Sequence, residues 1–288
     1  MTMAKYLLNV QLDADPSMHQ IFSRAESFAL NMVSDCIMQE MGKLEFGGIA
    51  KIQIHFTENH QQEKQQETLI DVVLVYKYLD IQDFLRRSSV EKRIMLAELV
   101  HDAMRAVACE HQVDAVILEP IRTKVVERLP NFKGWLTAEK FNASKECSAR
   151  LYFNYGKSIE VGCHIRRPKG PDEKKDSDII LFYHAPILEP VIKMFSKLAW
   201  VDNSKVIVPR KGTADFWRID VDEGTSEFVF DRAVSGQAHG LYDLGLMYLN
   251  GVLVLPDRKK AKHFLEEASR KGYKKADRIL EAIAEIEN

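Results

Sequence analysis

The chain has little that binds metals, phosphates or membranes. Its four cysteines, Cys36, Cys109, Cys147 and Cys163, are scattered without a CxxC pair, so reduced thiols in a cytoplasm are expected. None of the nine histidines falls in a His-x-x-x-His or His-Glu-x-x-His pattern, and no metal site is expected. No glycine-rich loop follows a strand, which leaves nucleotide binding without a phosphate cradle. No apolar run reaches bilayer length, and that at 69–76 is only strand-sized. The start, Met1 to Tyr6, lacks the apolar core and cleavage site of a signal peptide, so a cytoplasmic location is expected. An excess of one charge is missing too: the formal net charge is −2. No global field gathers nucleic acid or an anionic membrane, and a nucleic-acid role would need a local patch.

What is present suits a globular protein. At 288 residues, 46% of them apolar, the chain is long enough for two domains with full cores. Its clearest internal order lies at the C-terminal end. Gly236 and Gly272 stand 36 residues apart, each with a small residue three positions before it (Ala233, Ser269) and a leucine eight positions after it (Leu244, Leu280). Such a period belongs to helical-hairpin repeats, whose units bury their apolar faces on one another. The spacing predicts helices over 238–250 and 258–271, joined by a turn with Gly251 and Pro256. Leu241, Leu244, Tyr248 and Leu249 make one stripe, facing Ala261, Phe264, Leu265 and Ala268.

Through Leu244-Gly245, Tyr248, Gly251, Asp257, Ala261, Ala268, Gly272, Ala276 and Leu280, the last fifth of the chain resembles the Sel-one-like repeat, a relative of the tetratricopeptide repeat. Gly240 departs from the pattern, because the family usually places alanine there and Ala276 follows one period later. A glycine inside a helix costs about 1 kcal/mol relative to alanine. The resemblance implies a protein-binding scaffold without chemistry of its own.

The rest of the chain alternates between strand and helix periodicities. Residues 5–12 alternate as a strand, with Tyr6, Leu8, Val10 and Leu12 on one face. Asp15-Pro16 caps a helix carrying Ile21, Phe22, Ala25, Phe28, Met32, Val33, Cys36 and Ile37, which ends at Gly42. Strands at 49–57 and 68–79, joined by a polar loop, read as a hairpin. Ser88 and Glu91 have capping-box spacing for a helix to about Glu110, and Pro120 should split the helical pattern that follows. Strands at 148–155 and 158–167 form a hairpin across Gly156-Lys157. A charged loop leads to a strand at 179–184, a helix over 187–200, strands at 206–208 and 216–221, and a junction at 222–225.

Several residue groups could carry chemistry. His101-Asp102 reads as a solvated helix face, since sequence neighbours on a helix point about 100 degrees apart. Cys109-Glu110-His111 lacks an orienting third group and an oxyanion loop, so a buried, inert thiol at a helix end is expected. Asp172, Glu173, Asp176 and Asp178 lie in a loop, where nuclease carboxylates would sit on strands. Arg166, Arg167, Lys169, Lys174 and Lys175, with Arg210 and Lys211, could form a basic rim for phosphates, although acidic residues interleave the first five. Phe132, Trp135, Phe141, Tyr152, Phe153, Tyr155, Trp200, Phe216 and Trp217 lie beside or within irregular segments. Aromatics near arginine are the residue types that anchor protein interfaces.

These readings give an α+β protein: a mixed or antiparallel sheet body with packed helices over 1–222, divisible at 130/131, and a helical-hairpin repeat over 223–288. The repeat framework is Gly236, Leu244, Gly245, Tyr248, Gly251, Ala261, Ala268, Gly272, Ala276 and Leu280. The expected function is non-enzymatic protein binding in a bacterial cytoplasm, without catalytic residues or a cofactor. Its specific form is an immunity protein that neutralises a toxin domain. Trp135, Tyr155, Arg166, Arg167 and Trp217 are the candidate partner contacts. The alternative is a nucleic-acid-binding or -processing protein using the rim near 166–175 and 210–211.

Overall fold

Apolar residues at every second position build the first sheet, and its strands run in mixed directions. The computed structural model describes residues 6–7, 9–14, 18, 24–64, 66–167, 176–185 and 187–287. The chain forms two compact units, Met1–Phe132 and Lys133–Asn288. No described helix is long and apolar enough to cross a membrane.

In the first unit, β1 (Asn9–Ala14), β2 (Lys51–Thr57), β3 (Gln66–Leu69) and β4 (Val72–Tyr78) form one sheet in the order β1-β2-β4-β3. Val10, Leu12, Ile52, Ile54, Phe56, Val73 and Val75 are buried. The hairpin expected between 49–57 and 68–79 is corrected: those strands pair in parallel. The reversal lies between β3 and β4, across Ile70-Asp71. Ile70 adopts a positive φ of 59°, which a β-branched residue seldom takes, so the sequence carried no turn signal there.

Three helices pack in the same unit: α1 (Arg24–Met41), α3 (Ser89–Glu110) and α4 (Glu119–Arg128), with a short α2 (Ile81–Arg86) before α3. The capping box of α3 is formed in both directions, Ser88 accepting from the Glu91 amide at 3.3 Å and Glu91 from the Ser88 amide at 2.9 Å. Pro120 sits in the first turn of α4, after a 3-10 turn at Ala115–Leu118. It splits the helical pattern where its missing donor does no harm. Leu8, Asp15, Pro16, Ile21 and Phe22 lie outside the described residues.

The second unit opens with an antiparallel sheet. Strands β5 (Lys133–Trp135), β7 (Ser148–Tyr155), β8 (Ile159–Arg166) and β9 (Ser177–His184) lie in the order β5-β7-β8-β9, and β6 (Lys140–Phe141) also pairs with β7. Leu151, Phe153, Tyr155, Ile159, Val161, Cys163 and Ile165 point into the core, as their alternation dictates.

After α5 (Leu188–Met194), a second antiparallel sheet runs β10 (Ala199–Trp200), β11 (Lys205–Pro209), β12 (Phe216–Asp220), β13 (Thr225–Val229). Two expectations are corrected. The helix expected over 187–200 ends at Met194, because Phe195 bridges to Arg210 and its ring joins those of Phe182 and Trp217. Residues 222–224 lie in the turn of the β12–β13 hairpin, and Thr225 opens β13. Their Asp-Glu-Gly-Thr composition marks a reversal without saying what it joins.

Four helices follow: α6 (Asp231–Val234), α7 (Ala238–Asn250), α8 (Arg258–Arg270) and α9 (Lys274–Glu287). The protein is therefore α+β, with mixed and antiparallel sheets and a C-terminal helical hairpin. The 36-residue period has a backbone counterpart, since Gly236 and Gly272 close α6 and α8 at φ +71° and +85°, each amide donating to the small residue three positions back. Leu241, Leu244, Tyr248, Ala261, Leu265 and Ala268 are buried, and a Cβ at Gly245 would stand 2.8 Å from Leu265 Cγ. The hairpin docks on the second sheet: the Trp217 indole donates to Leu253 O at 2.9 Å, and Asp215 accepts from the Asp231 amide at 3.2 Å.

Gly240 now has a physical reason. A Cβ there would stand 2.3 Å from the Arg232 carbonyl oxygen at the start of α6, and backbone cannot swing aside as a side chain can. Gly240→Ala is expected to destabilise by about 2–3 kcal/mol, the overpacking cost outweighing the helix-propensity gain. Ala276→Gly, the reverse exchange one period on, should cost about 1 kcal/mol. Urea denaturation measures both, and a stabilised Gly240→Ala would refute the close approach.

Candidate functional site

Two antiparallel hairpins in succession give the first sheet of the second unit a face built from the alternate residues that do not enter the core. The strand register sets them in rows: Trp135 opposite Tyr152, Tyr152 opposite Gly162, Arg150 opposite His164, and His164 opposite Asp178. A neighbouring row puts Asn154 against Glu160 and Glu160 against Tyr183. Trp135, Phe141 and Tyr183 are 49%, 56% and 41% exposed, so large aromatic surface faces solvent on one sheet.

Polar groups on this face hold the Trp135 and Tyr152 rings in place. The Arg150 guanidinium lies 4.5 Å over the Trp135 ring, and its Nε donates to Thr137 O at 2.8 Å. His164 stands 5.7 Å from the Trp135 ring centroid, with its Nδ1 2.7 Å from Asp178 Oδ1. The Tyr152 hydroxyl donates to Glu160 at 3.2 Å. Burial, reinforced by Glu160 and Asp178, pushes that phenol well above its ordinary range, so it remains a neutral donor. A Cβ at Gly162 would collide with the Tyr152 ring at 2.4 Å, and glycine is what lets the ring lie flat across β8.

The charges on the face balance. Lys133, Arg150 and Arg166 are matched by Glu139, Glu160 and Asp178, and Arg166 is 3.7 Å from Glu139. A polyanion would find no net attraction here. His164-Asp178 is a dyad, but the adjacent Cys163 points into the core, where burial pushes its thiol up to about 12. The geometry offers rings, a guanidinium and paired charges, which are recognition chemistry.

The sequence-predicted contacts separate on this map. Trp135 and Arg166 lie on the open face. Tyr155 and Trp217, 5% and 1% exposed, are corrected to core residues: Tyr155 is on the inward alternation of β7, and Trp217 stacks on Phe182 at 5.2 Å. Arg167 braces the chain, donating to Ser177 Oγ at 2.9 Å and Val221 O at 2.6 Å. Arg210 is 3.3 Å from buried Asp215. Pro168, Lys169, Gly170, Pro171, Asp172, Glu173, Lys174 and Lys175 lie outside the described residues. Asp176 accepts from the Arg167 amide. Arg150, Glu160 and His164 were missed as a surface, although they occupy the non-core alternation of β7 and β8; Asp178 and Tyr183 share that face only through the register shift in the β8–β9 pairing.

Elsewhere two readings change. Cys109, expected buried, is exposed at the end of α3. His101, expected on a solvated face, is 8% exposed beside Met104, Leu118 and Val125, with its Nε2 3.5 Å from Glu119 and 61% of the Asp102 side chain exposed. Burial lowers the His101 pKa, and Glu119 partly offsets it. The unfolded chain therefore takes up this proton first. The contribution of neutral His101 is complete above about pH 6.5 and is lost as pH falls through its depressed folded value. The denaturation midpoint should drop more steeply below about pH 6.5 in the native chain than in His101→Leu. Parallel profiles would remove His101 from the acid response.

Among the described residues no group of three or more His, Cys, Asp and Glu is placed to hold a metal ion. No family model, curated protein or solved structure matches the chain.

Proposed function

We propose that this chain is a non-enzymatic protein-binding protein whose partner sits on the open face around Trp135, and that the C-terminal helices are a Sel-one-like hairpin that braces the sheet behind it. The observation that carries the reading is the grouping of Trp135, Phe141 and Tyr183, all well exposed, with Arg150 stacked on Trp135. Tryptophan, tyrosine and arginine are the residues that dominate binding energy at protein interfaces, and balanced charges favour a protein over a polyanion. The specific form we propose is an immunity protein that occludes a bacterial toxin domain in a shared cytoplasm.

The reading is tested by isolating the tagged full chain from its source cells, identifying the co-purifying protein, and titrating the purified pair. A tight stoichiometric complex that silences the partner's toxicity supports it. Failure to recover a partner, or neutralisation by a catalytic trace of this chain, would sink it.

A further inference from the structure

The edge of a β-sheet carries backbone groups that its own ladder has not used, so natural edges are covered or kept short. In the second unit the edges of the two sheets mostly meet each other. The Ser226 hydroxyl of β13 donates to Ile180 O of β9 at 3.4 Å, and the Trp200 indole of β10 donates to Lys140 O of β6 at 2.9 Å. The edge at β5 is different. That strand pairs only with β7, and Lys133 and Trp135 at its two ends are both exposed.

Register fixes which way the β5 backbone points. The Leu136 amide donates to Leu151 O at 2.9 Å, and in an antiparallel ladder hydrogen-bonded pairs alternate with pairs that exchange no bond. Leu136 with Leu151, and hence Gly134 with Phe153, are bonded pairs, and Trp135 with Tyr152 is the unbonded pair between them. The Trp135 N–H and C=O therefore point away from β7. Among the described residues neither has a hydrogen-bond partner. Lys133, two residues earlier, turns its backbone the same way. The ladder ends just beyond, where the Leu151 amide donates to Thr137 Oγ1 at 3.0 Å.

This edge is continuous with the open face, because the Trp135 ring lies on that face while the Trp135 backbone forms the edge. A strand laid along β5 would exchange both backbone bonds with Trp135, and the residue opposite would set its side chain on the same face, with Cβ atoms about 5 Å apart. Aromatic and β-branched residues make favourable cross-strand pairs with an aromatic ring. Two features keep the edge from pairing indiscriminately: β5 has three residues and begins with a lysine, and shortness and lysine both blunt sheet edges. A segment that gains only a few backbone bonds here needs the Trp135 contact as well, and side-chain contacts are what give strand addition its specificity.

We propose that the partner binds by adding an extended segment to β5, its backbone bonded to the Trp135 N–H and C=O and an aromatic or β-branched side chain set beside the Trp135 ring. This mode of recognition rests on the sheet face being the partner site. The test is residue-resolved amide hydrogen exchange, followed by NMR on the full chain, free and saturated with the co-purified partner. In the free chain the Trp135 amide should exchange close to the unprotected rate while the Gly134 and Leu136 amides are slowed; a protected Trp135 amide there would overturn the proposal. In the complex the Trp135 amide should slow by at least about 100-fold, with nuclear Overhauser contacts from it to the partner's backbone. Protection without those contacts means burial under the partner and excludes pairing. If the partner binds and loses affinity on Trp135→Ala while the Trp135 amide keeps its free rate, strand addition is excluded and the Trp135 face stands as the binding site. If no partner is recovered, or if it keeps native affinity for both Trp135→Ala and Tyr183→Ala, the face itself falls and strand addition with it.

Discussion

Replacing Trp217 by alanine is expected to cost the second unit about 4–6 kcal/mol, most of the stability a domain usually has. Two terms combine. The side chain is 1% exposed and touches the rings of Phe182, Phe195 and Phe228, so its removal leaves a cavity that three rings cannot close. Its indole N–H also satisfies Leu253 O at 2.9 Å in a buried bond, and an orphaned buried carbonyl adds about 1–3 kcal/mol. Trp217→Phe keeps most of the ring packing and loses the donor, which should cost about 1–3 kcal/mol. Because Trp217 joins both sheets of this unit to the loop after α7, the expected signal is a single cooperative transition of residues 133–288 moving to lower urea. The first unit has its own core and should keep its midpoint. A Trp217→Ala loss under about 2 kcal/mol would show that the helices stand without this link.

The case of Trp217 also marks how far the sequence could be read. Period alone placed α7 and the capped start of α3 correctly, because helix ends carry local chemistry: Ser88 with Glu91, and glycine after α6 and α8. The inward residues of β7 and β8 were legible for a similar reason, alternation being a property of each strand by itself. What failed depended on pairing. Nothing in residues 49–79 says that β2 and β4 run parallel, and the real turn hides behind an isoleucine with positive φ. The aromatics failed in the same way. Trp135 and Trp217 look alike in sequence, but one lies on the edge strand β5, paired only with β7, and the other in the interior strand β12, flanked by β11 and β13, a difference made by strand pairing. The open face was half legible: the alternate positions of β7 and β8 were available, but their alignment with Trp135 and Asp178 required the register.

That register makes the second large effect specific. Trp135→Ala is expected to weaken the proposed protein complex by about 30- to 1000-fold, the range of a loss of 2–4 kcal/mol at an interfacial tryptophan. The same change should cost the free protein less than about 1 kcal/mol, because the ring is 49% exposed and loses chiefly its stack on Arg150. Arg150→Ala should follow with a smaller loss of affinity, since its guanidinium both covers Trp135 and ties to Thr137 O. Arg167→Ala provides the contrast: its guanidinium is committed to Ser177 and Val221, so it should lower the urea midpoint while leaving affinity near native once folded. Affinity is measured against the purified partner and stability on the free chain, which separates the two roles. If Trp135→Ala and Tyr183→Ala both bind with native affinity, the partner lies off this face, and the exposed rings must be explained otherwise.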